Sequence, residues 1–222
     1  MGRASLPRAF ASVAAQASLP SQIVLVDASG KGLEAPASPV PVTLVRAQGG
    51  RLDRARAANA GMGAARGEWM GFLDEDDEFT PAHYETLLSA ARSSRLPVAY
   101  SATRIVRSDG SERLLGVPFD RRALFRSNYI TIHAPLFHRS FFDAGCRFDD
   151  TLEVFEDWDF WLQLAMRTAF AFTGEHTAIY HVDEGQSGGG GGSNLEREVA
   201  LRHRERLMRK WAPSIAALDT LS

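Results

Sequence analysis

An abrupt junction at Leu73 constrains this chain more than any other feature. Trp69-Met70-Gly71-Phe72-Leu73 is apolar, and Asp74-Glu75-Asp76-Asp77-Glu78 follows it with five acids in succession. An apolar run this short, bounded so sharply, reads as a buried strand whose carboxyl end delivers charge out of a sheet. Gln22-Ile23-Val24-Leu25-Val26-Asp27 repeats the plan, again closing on a carboxylate. Continuous apolar strands, rather than alternating ones, belong to parallel sheets covered on both faces.

The segments between these strands carry helical signals. Leu6, Phe10, Val13 and Ala17 recur at helical spacing, and Asp53 to Ala65 is rich in Ala and Arg and runs toward Gly67 as a stop. Pro41 to Val45 is a second β-branched strand. Thr80 and Pro81 are N-cap and N1 signals for a helix through about Ser93. A strand follows at Val98 to Val106, a turn at Asp109-Gly110, and then a less regular stretch to Arg139. Trp158, Trp161, Leu162 and Ala165 mark one face of a further helix, and Phe170 to Val182 reads as a last strand. The fold class is therefore α/β, with a mostly parallel sheet flanked by helices.

Residues 1–185 form one domain on this reading, and 186–193, containing five consecutive glycines, form a loop or linker. Residues 194–222 form a C-terminal basic helix with a capping box from Ser193 to Glu196. Its Arg-rich face is most simply a solvated one, with contact to a membrane surface as the alternative.

Composition excludes several function classes. Lys and Arg total 25 against 27 Asp and Glu, a formal charge of −2, so no global field draws the chain to nucleic acid. Cys146 is the lone cysteine, which rules out an internal disulfide framework and makes the cytoplasm the default compartment. No apolar run is long enough to span a membrane. The first residues, with Arg3 and Arg8 and no acid, mimic a targeting segment, but the amphipathic helix is the better reading.

Three places could carry chemistry. Asp74 and Asp76 sit at the carboxyl end of a strand, where α/β sheets bind ligands. Carboxylates there suit Mg²⁺ or Mn²⁺ bound together with substrate phosphates, whereas the bland alternative is a solvated turn favouring the next helix. Asp27, followed by Ala28-Ser29-Gly30, could accept from a ribose or base, or could cap its own turn. Glu156 and Asp157 stand in the first turn of a helix beside two tryptophans, a setting for a general base or for an ordinary acidic helix start. Gly61-Met62-Gly63 is not a dinucleotide fingerprint, because it precedes a strand. His133, His138, His176 and His181 share no metal-ligand spacing, and His181 alone keeps a minor candidacy.

Taken together, Leu25-Val26-Asp27-Ala28-Ser29, then Arg56-Ala57-Ala58-Asn59-Ala60-Gly61, then Gly67 through Asp77, then Glu156-Asp157-Trp158-Asp159, resemble the family 2 glycosyltransferases over about Leu6 to Val182. The resemblance implies a GT-A, Rossmann-like fold and transfer of a sugar from a nucleotide diphosphate, commonly UDP, to an acceptor hydroxyl with inversion. It implies that Asp27, with Ser29, Arg56 and Asn59 beside it, binds the donor nucleoside. Asp74 would touch ribose or sugar and share the divalent metal with Asp76, with Asp77 as the adjacent alternative. Asp157 would be the base that deprotonates the acceptor hydroxyl, with Glu156 orienting acceptor or base. The acceptor, whether glycan, lipid-linked or another hydroxyl compound, is left open.

Two departures stand out. The chain begins at the first helix, without the apolar strand and nucleotide-binding turn with which such proteins usually open. Ala58 occupies the position where many members carry Arg. A sheet without that strand has a gap or an unpaired edge, which exposes backbone and invites a homodimer. The alternatives are a nucleotide-sugar binder without turnover, and a sugar nucleotidyltransferase, whose Gly-rich loop after the first strand is not seen.

Overall fold

The computed structural model describes residues 4–47, 50–182 and 197–219. Its elements run α1 (Leu6–Ala14), β1 (Ile23–Asp27), β2 (Val42–Arg46), α2 (Arg54–Ala64), β3 (Trp69–Gly71), β4 (Glu78–Phe79), α3 (His83–Ser94), β5 (Val98–Val106), β6 (Glu112–Leu115), α4 (Arg121–Arg126), β7 (Pro135–His138), α5 (Ser140–Asp143), α6 (Glu156–Ala165), β8 (Ala171–His181) and α7 (Arg197–Asp219). The Gly-rich segment 186–193 and the capping box from Ser193 to Glu196 lie outside the described residues.

The α/β class stands, with helices against curled sheet, but the strand directions are mixed rather than mostly parallel. β1 pairs with β2 and β5 with β8 in parallel, while β3–β7, β4–β8, β5–β6 and β5–β7 are antiparallel. The reason is local. The Asp109-Gly110 turn, with Gly110 at φ +80°, folds β6 directly back on β5 without a crossover helix. β7 arises from the stretch read as irregular, where Pro135 to His138 is too short to announce itself.

The strands fall into two sheets that share no backbone pairing. One is β1–β2, and the other has the order β3-β7-β5-β8-β4 with β6 on β5. β3 and β4 stand at opposite ends of that order yet are joined through residues 72–77, so the sheet curls to bring its ends together.

α1 packs Leu6, Ala9, Phe10 and Val13 inward. It ends at Ala14 rather than running to Ala17, because the chain turns to pair Ala17 N–H with Pro81 C=O at 2.8 Å. Gln16 fastens this corner, donating to Thr80 C=O at 2.7 Å and accepting from Tyr84 N–H at 3.1 Å. Thr80 is thereby held in a turn closed by His83 N–H to its own C=O, so α3 starts at His83 and not at the Thr80-Pro81 signal.

α6 anchors the core. Phe160, Trp161, Leu162 and Leu164 are fully buried, and Phe160 stacks on Phe148 with ring centroids 4.4 Å apart. The C-terminal helix joins the same core: Leu207 is fully buried, with Met208, Trp211 and Ile215 packed around it. Asp159, also fully buried, accepts from Lys210 Nζ and Trp211 Nε1, both at 2.9 Å, locking α7 onto α6. The basic face of α7, with Arg202, Arg204, Arg206 and Arg209, is exposed.

Candidate active site

The acidic turn is built by a short hydrogen-bonded reversal, with Asp77 N–H donating to Asp74 C=O at 3.1 Å. It brings carboxylate oxygens of Asp74, Asp76 and Asp77 within 4.8 Å of one another. Asp76 and Asp77 are buried, and Arg8 of α1 donates to the Asp76 backbone carbonyl. Asp77 accepts from His181 N–H at 2.9 Å. His181 Nε2 lies 2.8 Å from Glu78 Oε1.

Asp77 Oδ2 lies 3.2 Å from His133 Nδ1, but neither atom has hydrogen-bonding geometry to a partner. Burial, then the charge of Asp74, pushes Asp77 up to about 8; burial, then His181, pushes His133 down to about 3. Burial thus works against charge on both side chains. Three carboxyl groups whose oxygens converge here, Asp76 and Asp77 of them buried, fit a hard divalent cation, which would favour their ionised forms and use the orphaned Asp77 oxygen.

The start of α6 lines the same cavity. Phe155 caps it in a left-handed conformation at φ 65°, turning Glu156 and Asp157 into the first helical turn. Asp157 accepts from Asn128 Nδ2 at 3.1 Å and from Trp158 N–H at 2.7 Å. Burial raises Asp157, against the opposing pull of Trp158, Arg54 and Asn128. Burial and then Asp157 likewise raise Glu156. Two adjacent carboxyl groups in this setting hold on to protons well above the usual carboxylate range.

Arg54 connects the two acidic groups. Asp53 caps α2 by accepting from Arg56 N–H at 2.7 Å, which puts Arg54 at the first helical position. Its Nη1 lies 3.6 Å from Glu156 Oε1. Burial works against its charge, but Asp74, Glu156 and Asp157 together raise its pKa. Asp27, Ser29, Arg54, Asp74, Asp76, Asn128, Glu156 and Asp157 all line one cavity of about 1720 Å³.

Several residues singled out in the sequence stand elsewhere or are already engaged. Arg56 does not line the cavity; it is exposed and pairs with Asp150 at 3.2 Å and Asp53 at 3.5 Å. Asn59 also turns away, its amide clamped to Phe148 by donation to C=O and acceptance from N–H, each at 2.9 Å. Asp27 lines the cavity, but its own loop fills its carboxylate. Ser29 N–H, Ser29 Oγ and Gly30 N–H converge on Oδ1, and Gly32 and Leu33 N–H on Oδ2. These bonds, led by Ser29, hold Asp27 down at about 2. Arg54 and Asn128 went unnoticed in the sequence. Arg54 sits two residues before the singled-out arginine, and Asn128 lies in a stretch without periodicity.

The chain matches the model of glycosyl transferase family 2 over residues 2–155. It is a member of that family. Among curated proteins it is 30% identical to the succinoglycan biosynthesis protein ExoO of Rhizobium meliloti, over 82% of this chain and 58% of that protein. It is 24% identical to the uncharacterized glycosyltransferase YwdF of Bacillus subtilis, over 69% of this chain and 60% of that one. The chain thus spans less than two thirds of either relative. The crystal structure of S. aureus TarS residues 1–349 in complex with UDP-GlcNAc superimposes with a TM-score of 0.64 at 13% identity, covering 93% of this chain and 67% of that one. The fold is that of the GT-A enzymes. Among the described residues, no helix is long and apolar enough to cross a membrane.

Proposed function

We propose that this chain is an inverting glycosyltransferase that moves a sugar from a nucleotide diphosphate, with UDP as the expected nucleotide, to an acceptor hydroxyl. The observation that carries this reading is one cavity lined by Asp74 and Asp76 of the oxygen cluster and by the desolvated pair Glu156 and Asp157, with Arg54 beside that pair. Binding alone needs no base beside the anion site.

Asp74 and Asp76, with Asp77, would hold Mn²⁺ or Mg²⁺, which supplies charge neutralisation for the departing diphosphate. Arg54, within the influence of Asp74, Glu156 and Asp157, would supply a cation for the donor phosphates. Asp157 accepts the acceptor's hydroxyl proton as that oxygen attacks the anomeric carbon. The bond from that carbon to the diphosphate oxygen breaks, and the electron pair leaves with the nucleotide diphosphate. Attack opposite the leaving group inverts the anomeric centre. A raised pKa makes Asp157 a stronger base once it is ionised, and Asn128 keeps its oxygen oriented. Glu156 orients Asp157 or the acceptor. Asp27 and Ser29 act by shaping the loop under the nucleoside. The supporting comparison is fold-level: the TarS structure holds UDP-GlcNAc.

The test is Asp157→Asn. General-base removal lowers turnover by about 10² to 10⁴-fold while donor affinity stays near normal. Donor affinity and turnover falling together would assign Asp157 to binding and overturn the catalytic role.

A further inference from the structure

His133 is 1% exposed, and among the described residues neither of its ring nitrogens has hydrogen-bonding geometry to a partner. A neutral imidazole carries one N–H donor and one lone pair, and burying either unpaired works against folding. Native structures hold few such groups, and an ion that completes them is one of the recognised reasons. The backbone, not the ring, holds the residue in place. Just before β7, Ala134 N–H donates to Thr131 C=O at 3.1 Å and Ser101 N–H donates to Ala134 C=O at 3.3 Å.

The ring is aimed at the acidic turn. Nδ1 stands 3.2 Å from Asp77 Oδ2, an oxygen that also has no partner in hydrogen-bonding geometry. An oxygen of Asp77 lies within 4.8 Å of oxygens of Asp74 and Asp76, and His133 lines the same cavity as those two residues. A direct Nδ1–H to Oδ2 bond would need no ligand, yet its geometry is missing. Two adjacent ligands of an octahedral cation, each bonded at about 2.1 Å, stand about 3.0 Å apart, close to the separation found here. His181, the other histidine at Asp77, differs. Its backbone N–H donates to Asp77 and its Nε2 lies 2.8 Å from Glu78 Oε1, so its side chain is already engaged.

We propose that His133 is a nitrogen ligand of the divalent cation at the acidic turn, bonding it through Nδ1 beside Asp77 Oδ2. The inference rests on the reading of that turn as a metal site. It gives one group to both orphaned atoms, the imidazole lone pair and the carboxylate oxygen. It also sets a preference. Mg²⁺ and Ca²⁺ take oxygen ligands, whereas an imidazole among carboxylates favours the first-row transition metals, and increasingly so from Mn²⁺ to Co²⁺. The ligand comes from the entry to β7, far along the chain from Asp77, where no spacing pattern in the sequence could announce it.

The test is electron spin-echo envelope modulation of Mn²⁺ added to the full chain, alone and with UDP, in protein made with ordinary or isotopically labelled histidine nitrogen. A nitrogen coupling that changes with the label marks an imidazole on the cation. It is expected in the wild type and in His181→Gln, and expected to be lost in His133→Gln. Bound Mn²⁺ without histidine coupling overturns the proposal and leaves the metal site standing. So does coupling that survives in His133→Gln or vanishes in folded His181→Gln. No Mn²⁺ binding to the wild type, with or without UDP, overturns the metal site itself and the proposal with it. Should His133→Gln not fold, coupling retained in His181→Gln assigns it to His133, the other histidine at Asp77. Calorimetry on folded His133→Gln gives a second readout. Co²⁺ affinity is expected to fall by about tenfold or more and Mg²⁺ affinity by less than about threefold, whereas equal losses would make His133 a structural residue and overturn its role as a ligand.

Discussion

Arg54 Nη1 lies 3.6 Å from Glu156 Oε1, joining the first turn of α2 to the first turn of α6 across the cavity. The acidic turn, through Asp74, and the carboxylate pair both act on this guanidinium. Arg54→Ala is expected to lower kcat/KM by roughly 10 to 100-fold, a loss of about 1.4 to 2.7 kcal/mol of transition-state stabilisation. Arg56→Ala, which removes an exposed ion pair, is expected to leave activity within about twofold and stability within about 0.5 kcal/mol. Steady-state kinetics and urea titrations of the two variants distinguish these roles.

Asn59 is a structural clamp. Asn59→Ala leaves the Phe148 N–H and C=O without their side-chain partner, at an expected cost of about 1–3 kcal/mol. Donor affinity of the folded variant should stay near wild type. A calorimetric titration showing a large affinity loss in folded protein would instead make Asn59 a ligand-binding residue.

Asp27 ties stability to acid. Its pKa is lowered from 3.8 to about 2 by Ser29 and the loop amides. A depressed carboxylate contributes stability that is present above the unfolded value and lost as pH falls through the folded one. The stability difference between wild type and Asp27→Asn is therefore expected to narrow between pH 4 and pH 2. Chemical denaturation at a series of pH values measures it, and a difference that stays constant over that window contradicts the assignment.

The C-terminal helix belongs to the folded unit. Leu207→Ala empties a fully buried site and is expected to cost about 2–5 kcal/mol. Thermal unfolding should show one cooperative transition moved down, whereas an unchanged transition would make α7 an appendage.

What could be read in the sequence followed from sharp contrasts. The passage from Leu73 to Asp74 and from Val26 to Asp27 marks strand ends because apolar burial and charge cannot share a site. The tryptophan stripe of α6 fixes which way Glu156 and Asp157 face. The phase of α2 could not be read, because its Ala, Gly and Arg residues give it no apolar face, and Arg54 and Arg56 are equivalent on paper. β4 is hidden because its Glu78 belongs to the acidic run and only Phe79 is apolar. The antiparallel returns of β6 and β7 depend on a turn and on neighbours distant in sequence. The occupation of Asp27 by its own loop was foreseeable as an alternative, but only coordinates count its five donors.

On the proposed function the acidic turn binds a divalent cation together with a nucleotide diphosphate sugar. Thermal unfolding with UDP-sugars, with and without Mn²⁺, tests it most directly in the wild type and in Asp76→Ala. A ligand at about 100 times its Kd stabilises by about 2.7 kcal/mol. The expected result is a rise in Tm with UDP-sugar that needs Mn²⁺ and disappears in Asp76→Ala. A rise that is indifferent to the metal, or equal in the variant, would contradict it.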